Sequence, residues 1–504
     1  MSIDTKYQKI NLKKSTTKLF NETESMANTL LPLDGVSKIL ALSSSVVLLN
    51  EEIVDKKIKY SARVLFNIVY LDSENVIKKT ECGTEFISSI EKEDLPDNAQ
   101  TKTTLNVIKN SVTEKNGNYY AVALIGAEIK IYSSCGVTFA SGGEDMFMKK
   151  EDKSIIKSIK QVKSNYPVEE EFELNYAVGD VIMHQTELSV SAVTCGVGNV
   201  IVDGENILSL CLLQKTENSD ILKEVKTIPF RIETEFDEAM PENVAIAEGV
   251  VNGVKIDVEV DEEKLKSKVK VSLDLSLTVE VYEKVTYQMV TDAYSQTNYL
   301  NLEKVDSSFT YPSKRRRYEN KIVARGVFSE PLNLGARLMC SALEKINLIG
   351  IKTVADGVLL EGVAECNVFI KDTDGNVSSR QAEAPFTLTV DGGGDYTVEL
   401  LTGSFFVKVV SLDSFDVEFL LTVTLQEYKK ESFTVINKIE VGEEKEVSTS
   451  ALSVYIPLKG EELWDVAKRL NSCPEVILEI NSDLEFPLTG EERLLIYRQE
   501  KKNY

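Results

Sequence analysis

The sequence predicts a mainly β protein in which three tandem β-sandwich-like repeats precede a small β-α-α-β domain. Short apolar segments with a period of two alternate with turn residues from about residue 36 to 440. Similar strand endings recur at intervals of about 150 residues, which indicates an internal repeat. Over the last fifty residues an apolar stripe with helical spacing replaces the strand pattern.

The composition is that of a globular protein of several domains. The 504 residues are 43% hydrophobic and 27% charged, and 57 basic against 80 acidic side chains give a net charge of −23. Nucleic-acid binding needs a basic surface, so this charge argues against a nucleic-acid partner. No apolar run approaches the ~18 residues that cross a bilayer, and the N-terminus lacks a signal-peptide core. We therefore expect a cytoplasmic protein without a membrane span.

The histidine and cysteine content argues against an enzyme. His184 is the only histidine, which excludes a multi-histidine metal site and most histidine-dependent hydrolases. The seven cysteines are odd in number, dispersed and free of CxxC pairs, which is typical of buried thiols in a reducing compartment. We expect no catalytic residue, metal or cofactor.

The elements follow in order along the chain. Residues 1–32 are polar and predict a flexible N-terminal segment, and the three β-rich repeats are placed at 33–155, 165–312 and 318–445. The clearest strand is 268–282, whose apolar residues alternate with polar ones as in an antiparallel strand with one wet face. Two sets of anchors suggest the repeat: Asp55, Asp203 and Asp356 near the starts, and Tyr132, Tyr282 and Tyr428 near the ends.

A dense basic run lies at the joint between the second and third repeats, at 312–317. We interpret this run as a solvated linker, and a contact with an anionic partner is the alternative.

The C-terminal residues 452–498 predict a separate domain. A strand at 452–456 is followed by a helix after Gly460, with Leu463, Val466, Ala467 and Leu470 on one face. A second short helix ends at Asn481, and a closing strand covers 493–497.

These C-terminal residues resemble a LysM domain. The similarity rests on Gly460-Glu-Glu-Leu-Trp-Asp-Val-Ala467, on Asn481, and on Gly490-Glu-Glu-Arg-Leu-Leu-Ile496. Three β-rich repeats before one LysM domain resemble the SPOCS-domain (SipL-like) spore coat morphogenesis proteins of spore-forming clostridia. The resemblance implies a non-enzymatic scaffold in the mother-cell cytoplasm, at the forespore surface, whose LysM domain binds the coat ATPase, stage IV sporulation protein A, beside other coat proteins.

The resemblance and the apolar pattern together suggest a partner-binding surface. We expect it to comprise the loop and helix start Gly460, Glu461, Glu462, Leu463 and Trp464, and the turn Asn481, Ser482, Asp483 and Leu484. Trp464 lies beside the apolar stripe, so it either covers the small core or anchors a partner. Glu461 and Glu462 replace the family's Asp-Thr, and we expect them to form an acidic rim that disfavours anionic peptidoglycan.

Two other functions remain as alternatives. A LysM domain that binds peptidoglycan or N-acetylglucosamine chains is the first. The second is a glycosidase that uses Asp257, Glu259 and Asp261, although a solvated strand face explains these residues better.

Overall fold

The computed structural model describes residues 4–33, 35–93, 95, 99–216, 220–261, 263, 265–446 and 452–497; for 13–24 and 133–135 it describes the backbone alone. The chain is mainly β, as predicted, and the pairings between its strands are antiparallel. Two short helices occur among the described residues, both near the C-terminus.

The first six strands form unit 1. Its two three-stranded sheets have the orders β2-β3-β4 and β1-β6-β5, so the first strand pairs with the last. The strands are β1 (Asp4–Leu30), β2 (Val36–Val54), β3 (Lys57–Asp72), β4 (Ile77–Glu91), β5 (Ala99–Lys115) and β6 (Asn118–Glu144).

The next six strands form unit 2 with the same topology, in the orders β10-β9-β8 and β11-β12-β7. They are β7 (Phe147–Leu174), β8 (Val178–Cys195), β9 (Asn199–Gln214), β10 (Ile221–Glu235), β11 (Val244–Asp261) and β12 (Lys266–Tyr294).

Unit 3 repeats the arrangement, except that its two sheets join into one six-stranded sheet of order β14-β15-β16-β13-β18-β17. Its strands are β13 (Asn298–Phe328), β14 (Arg337–Val354), β15 (Gly357–Lys371), β16 (Val377–Val390), β17 (Asp395–Val409) and β18 (Ser414–Glu444). The sheets join where Val327 of β13 pairs with Glu383 of β16. A Cβ atom at the neighbouring Gly326 would lie 2.1 Å from the Glu383 carbonyl oxygen, so this close approach requires glycine.

The middle strands of the three units share one burial pattern, which aligns them residue by residue. Alternating buried side chains end in a run of consecutive buried residues, four in unit 1 and three in units 2 and 3. These runs are Ile68-Val69-Tyr70-Leu71, Leu210-Cys211-Leu212 and Val368-Phe369-Ile370. The alternating side chains pack between the two sheets of their own unit. The second residue of each run points the other way, toward the neighbouring units.

The limits of the three units differ from the repeat boundaries that the sequence predicted. Residues 1–32 were expected to be flexible, but Asp4–Leu30 pairs with β6 along its length. The predicted boundaries also cut through β7 and β13, which are the equivalent first strands of units 2 and 3. The reason is their polar composition. These strands bury alternate residues only, as Ile10 and Leu12 do in β1, so they resemble linkers in sequence.

The tyrosine anchors are equivalent in the structure. Tyr132, Tyr282 and Tyr428 each lie at a register shift in the pairing of the first and last strands of their unit. Burial and the charge of Glu280 raise the pKa of all three, so the three units bring these tyrosines close to one carboxylate. The aspartate anchors are not equivalent: Asp55 and Asp356 lie in turns, whereas Asp203 lies inside β9.

After each tyrosine the first and last strands of the unit continue as a two-stranded ribbon. The three ribbons pack together. Their shared core includes Phe139 of unit 1, Met289 of unit 2 and Phe433 of unit 3. A second shared core joins the three units at the opposite ends of their middle strands. The units therefore surround a common centre.

The joint between units 2 and 3 also contains buried charges. Lys223 of β10 forms an ion pair with Glu344 of β14; the Glu344 side chain is buried, and that of Lys223 is 14% exposed. Glu187 of β8 accepts a hydrogen bond of 2.6 Å from the Thr402 backbone N–H. Burial raises the pKa of Glu187 to about 7, and the nearby Glu344 adds to the shift, against the hydrogen bonds from Thr402.

The C-terminal domain consists of β19 (Leu452–Tyr455), α1 (Leu463–Leu470), α2 (Pro474–Ile480) and β20 (Leu494–Tyr497). The two strands pair antiparallel, with Val454 opposite Leu495. This β-α-α-β order agrees with the order predicted from the sequence.

Candidate protein-binding site in the C-terminal domain

The core of the C-terminal domain forms from the inner face of the strand pair and one face of each helix. Its fully buried members are Val466, Ala467, Ile477, Leu488, Leu494 and Ile496. The connection between the two helices is set by two residues. Asn471 adopts a left-handed conformation and ends α1, and Pro474 begins α2. The predicted stripe lies in this core, with Leu463 and Leu470 at its edges.

The loop that leads into α1 lies beside the loop at 487–490. The Gly460 N–H donates to the Leu488 carbonyl oxygen at 2.7 Å, and the Leu488 N–H donates to the Glu461 carbonyl oxygen at 2.9 Å. Gly460 has a φ of 87°, which favours glycine, and its position is open to solvent. A ligand could therefore approach the backbone of this loop.

Glu461 does not contribute to an acidic rim, contrary to expectation. Its side chain is buried and accepts hydrogen bonds from the Leu458 N–H at 2.8 Å and the Tyr455 hydroxyl at 2.9 Å. Arg469 pairs with the same carboxylate at 2.7 Å. A carboxylate removed from water needs such partners, and they direct it into the domain. Glu462 remains exposed at the start of α1.

The turn at 481–484 has mixed roles. The Asn481 side chain donates to the carbonyl oxygens of Ile477 and Leu495 and accepts from the Leu495 N–H, each at 2.8 Å, so it connects α2 with β20. Ser482 and Asp483 are exposed, and Leu484 packs on the core. Within this turn, Ser482 and Asp483 are the side chains most open to a partner.

Trp464 faces unit 2. Its indole N–H donates to Asp292 of β12 at 2.8 Å, and Lys468 pairs with the same carboxylate at 2.6 Å. The indole also contacts the ring of Tyr294 edge-on, with a centroid distance of 5.1 Å. The Tyr294 hydroxyl donates to the Ser472 carbonyl oxygen at 2.7 Å. Trp464 is thus half-buried between the C-terminal domain and unit 2.

Polar contacts surround this junction. The Lys445 ammonium donates to the Ser295 carbonyl oxygen and to Asn471 Oδ1, both at 2.7 Å. The Asn471 amide donates to the Gln296 carbonyl oxygen at 2.6 Å. The C-terminal domain therefore docks where the chain passes from unit 2 to unit 3.

The other side of the strand pair is an exposed apolar surface that the sequence argument missed. This outer face consists of Leu452, Val454, Ile456, Leu495 and Tyr497, which are between 42% and 66% exposed. Its signal in the sequence is that β20 is apolar throughout and β19 has apolar residues on both of its faces. An apolar surface of this kind is typical of an interaction site.

The basic run at 312–317 belongs to β13 and is not a solvated linker. Arg315 donates to the Val190 carbonyl oxygen at 2.6 Å and pairs with Glu399 at 2.9 Å. Arg316 pairs with Asp391 and Arg317 with Glu205. The three guanidinium groups therefore have acidic partners within the chain.

The acidic residues considered for catalysis lie on β11. Asp257 pairs with Lys255 at 2.8 Å and Glu259 with Lys270 at 2.6 Å, as on a solvated sheet face. His184, on β8, has its pKa lowered mainly by burial.

Comparison with protein families, curated proteins and solved structures gives no match to this chain. No helix among the described residues is long and apolar enough to cross a bilayer. Over the same part of the chain, no three His, Cys, Asp or Glu side chains are grouped as they would be to hold a metal ion.

Proposed function

We propose that the protein is a non-enzymatic scaffold of the spore coat, built from three tandem β-sandwich repeats and a C-terminal LysM domain. It acts in the mother-cell cytoplasm at the forespore surface. There the LysM domain binds the coat ATPase, stage IV sporulation protein A, and helps to localise this and other coat proteins. The LysM motif residues, the threefold recurrence of six strands and the resemblance to SipL support this proposal.

The outer face of the LysM domain is the observation that carries the proposal. The domain turns Trp464 toward unit 2 and leaves five large apolar side chains exposed on its opposite side. Exposing these apolar side chains to water does not stabilise the domain, whereas covering them with a protein partner makes the free energy of binding more favourable. The exposed loop residues Glu462, Ser482 and Asp483 are polar and suit the rim of such a contact.

Binding of N-acetylglucosamine chains is the second candidate. LysM domains bind sugars at the loops that correspond to 458–462 and 487–490, which are neighbours here. Because the Glu461 side chain points into the domain, these loops are less acidic than the sequence of the chain suggests. Peptidoglycan of the spore cortex or cell wall is the ligand in this case.

A binding assay with the full-length chain distinguishes the two candidates. Purified coat ATPase and N-acetylglucosamine oligomers are tested separately against the wild type and Val454→Glu. We expect the wild type to bind the ATPase, and Val454→Glu to weaken binding at least tenfold, because a charge is buried in the apolar contact.

Ile87→Glu is the matched control, since Ile87 is an exposed apolar residue of β4 in unit 1, 80% accessible. It should bind as the wild type does. Circular dichroism checks that each variant is folded. A wild type that binds only the sugar oligomers favours the second candidate, and a folded Val454→Glu variant with normal ATPase binding rejects the outer face as the interface.

A further inference from the structure

Two thiols from different units meet in the core that joins the three units. Cys211 of β9 belongs to unit 2 and Cys340 of β14 to unit 3, and both are about 5% exposed. The Cys211 thiol donates to the carbonyl oxygen of Ser341, the residue after Cys340, at 3.8 Å. This bond places the Cys211 sulfur against the strand that carries Cys340, within the one buried cluster that both thiols share.

The repeat shows what other residues occupy these positions. Cys211 is equivalent to Val69 in unit 1 and Phe369 in unit 3, as the second residue of the buried run. Ala41 pairs with Val69 in unit 1 as Cys340 pairs with Phe369 in unit 3. Apolar side chains therefore fill the equivalent places, and packing alone does not require a thiol at either position.

We propose that Cys211 and Cys340 form a disulfide bond that connects unit 2 to unit 3 when the protein meets a two-electron oxidant. One thiol loses its proton and adds to the oxidant, and the second thiolate displaces the reduced oxidant from the first sulfur. Together the two thiols lose two protons and two electrons, and an azo oxidant such as diamide takes both to become a hydrazine. In a reducing compartment the pair remains as thiols.

The surroundings make this reaction selective and slow. The neighbouring Cys211 thiol, together with burial, raises the pKa of the Cys340 thiol well above its ordinary value, so little thiolate is present in the closed joint. The Lys223 ammonium nearby acts in the opposite direction. We therefore expect the bond to form more slowly than the modification of the partly exposed Cys82 and Cys473, during local opening of the joint.

The test uses the full chain in native buffer with diamide as the oxidant. After oxidation the remaining thiols are alkylated, the protein is digested without reductant, and mass spectrometry identifies linked peptides. A peptide that joins Cys211 to Cys340 as the main linked species is the expected result. No such peptide after prolonged oxidation of the folded chain, or a different dominant pair, would overturn the proposal.

Thermal unfolding gives an independent measurement. Oxidation should raise the midpoint of the wild type, since the bond closes a long loop, and dithiothreitol should reverse the shift. Cys211→Val and Cys340→Ala place the unit 1 residues at these sites, and neither variant should gain from oxidation. If both variants show the same upward shift as the wild type, another modification causes it and the assignment is wrong.

Discussion

Replacing Asp292 with alanine is expected to loosen the junction between the C-terminal domain and unit 2. The Asp292 carboxylate accepts hydrogen bonds from the Trp464 indole at 2.8 Å and from the Lys468 ammonium at 2.6 Å. Burial alone would raise the pKa of Asp292, but the bonds from Lys468 and Trp464 bring it below its ordinary 3.8. The carboxylate is thus charged at neutral pH, and both donors bind the charged form.

Hydrogen bonds to a charged group contribute about 1.5–3 kcal/mol each, and exposure to solvent reduces this amount. The Lys468 side chain is 41% exposed, so we take about 2 kcal/mol for both contacts together. This corresponds to a roughly 30-fold change in the ratio of docked to undocked domain. Because the pKa of Asp292 is lowered, the contribution is complete above the ordinary pKa and is lost only as pH falls through the lowered value.

Tryptophan fluorescence measures this directly, since Trp464 is the only tryptophan in the chain. With Asp292→Ala, the emission should shift to the red at a lower urea concentration than in the wild type, as the indole leaves Tyr294. Asp257→Ala is the matched control, because Asp257 lies on the exposed face of β11. Urea profiles and quenching by acrylamide that are the same for Asp292→Ala and the wild type would refute the reasoning.

Three further substitutions test the units themselves. Asn206 is buried in the unit 2 core, where the described residues offer its side chain no hydrogen-bond partner, and Val64 is the equivalent residue of unit 1. Asn206→Val should therefore raise the free energy of unfolding by about 1–3 kcal/mol in urea, and a loss would contradict the alignment of the units. Glu187→Gln should remove a pH dependence of stability. With its pKa raised from 4.5 to about 7, Glu187 makes the wild type less stable as pH rises through this interval, by about 3 kcal/mol in total. Equal slopes for wild type and variant between pH 5 and 8 would exclude this cause. Gly326→Ala should destabilise unit 3 by about 2 kcal/mol, since its Cβ meets backbone, whereas Gly393→Ala has open space and should not. Similar unfolding midpoints for these two variants would contradict the steric argument.

The C-terminal domain was the part most open to sequence reasoning. Its helices follow from a local pattern. Leu463, Val466, Ala467 and Leu470 recur at helical spacing, Asn471 ends α1 and Pro474 begins α2. The outer face was missed for a local reason as well. Leu452 and Val454 look like ordinary strand residues, and only the position of both helices on the opposite side leaves them exposed.

The first strands of the units were harder to predict. β1, β7 and β13 are rich in charged residues, and their partners lie far along the chain, as Asp4 opposite Glu144 illustrates. A strand with one wet face and paired charges has no strong hydrophobic signal of its own. Its pairing partner is what distinguishes it from a linker.

The sequence by itself determined the β class, the approximate period of the repeat and the order of elements in the C-terminal domain, because each depends on residues close together in the chain. Only the tertiary structure decided which strands complete each unit and how three units share a centre at Tyr132, Tyr282 and Tyr428. It also decided which side of the C-terminal domain stays free, since Asp292 is 172 residues from Trp464. The physical reason is that strand pairing and burial depend on contacts between segments far apart in the chain. The residues of one segment do not specify its partner.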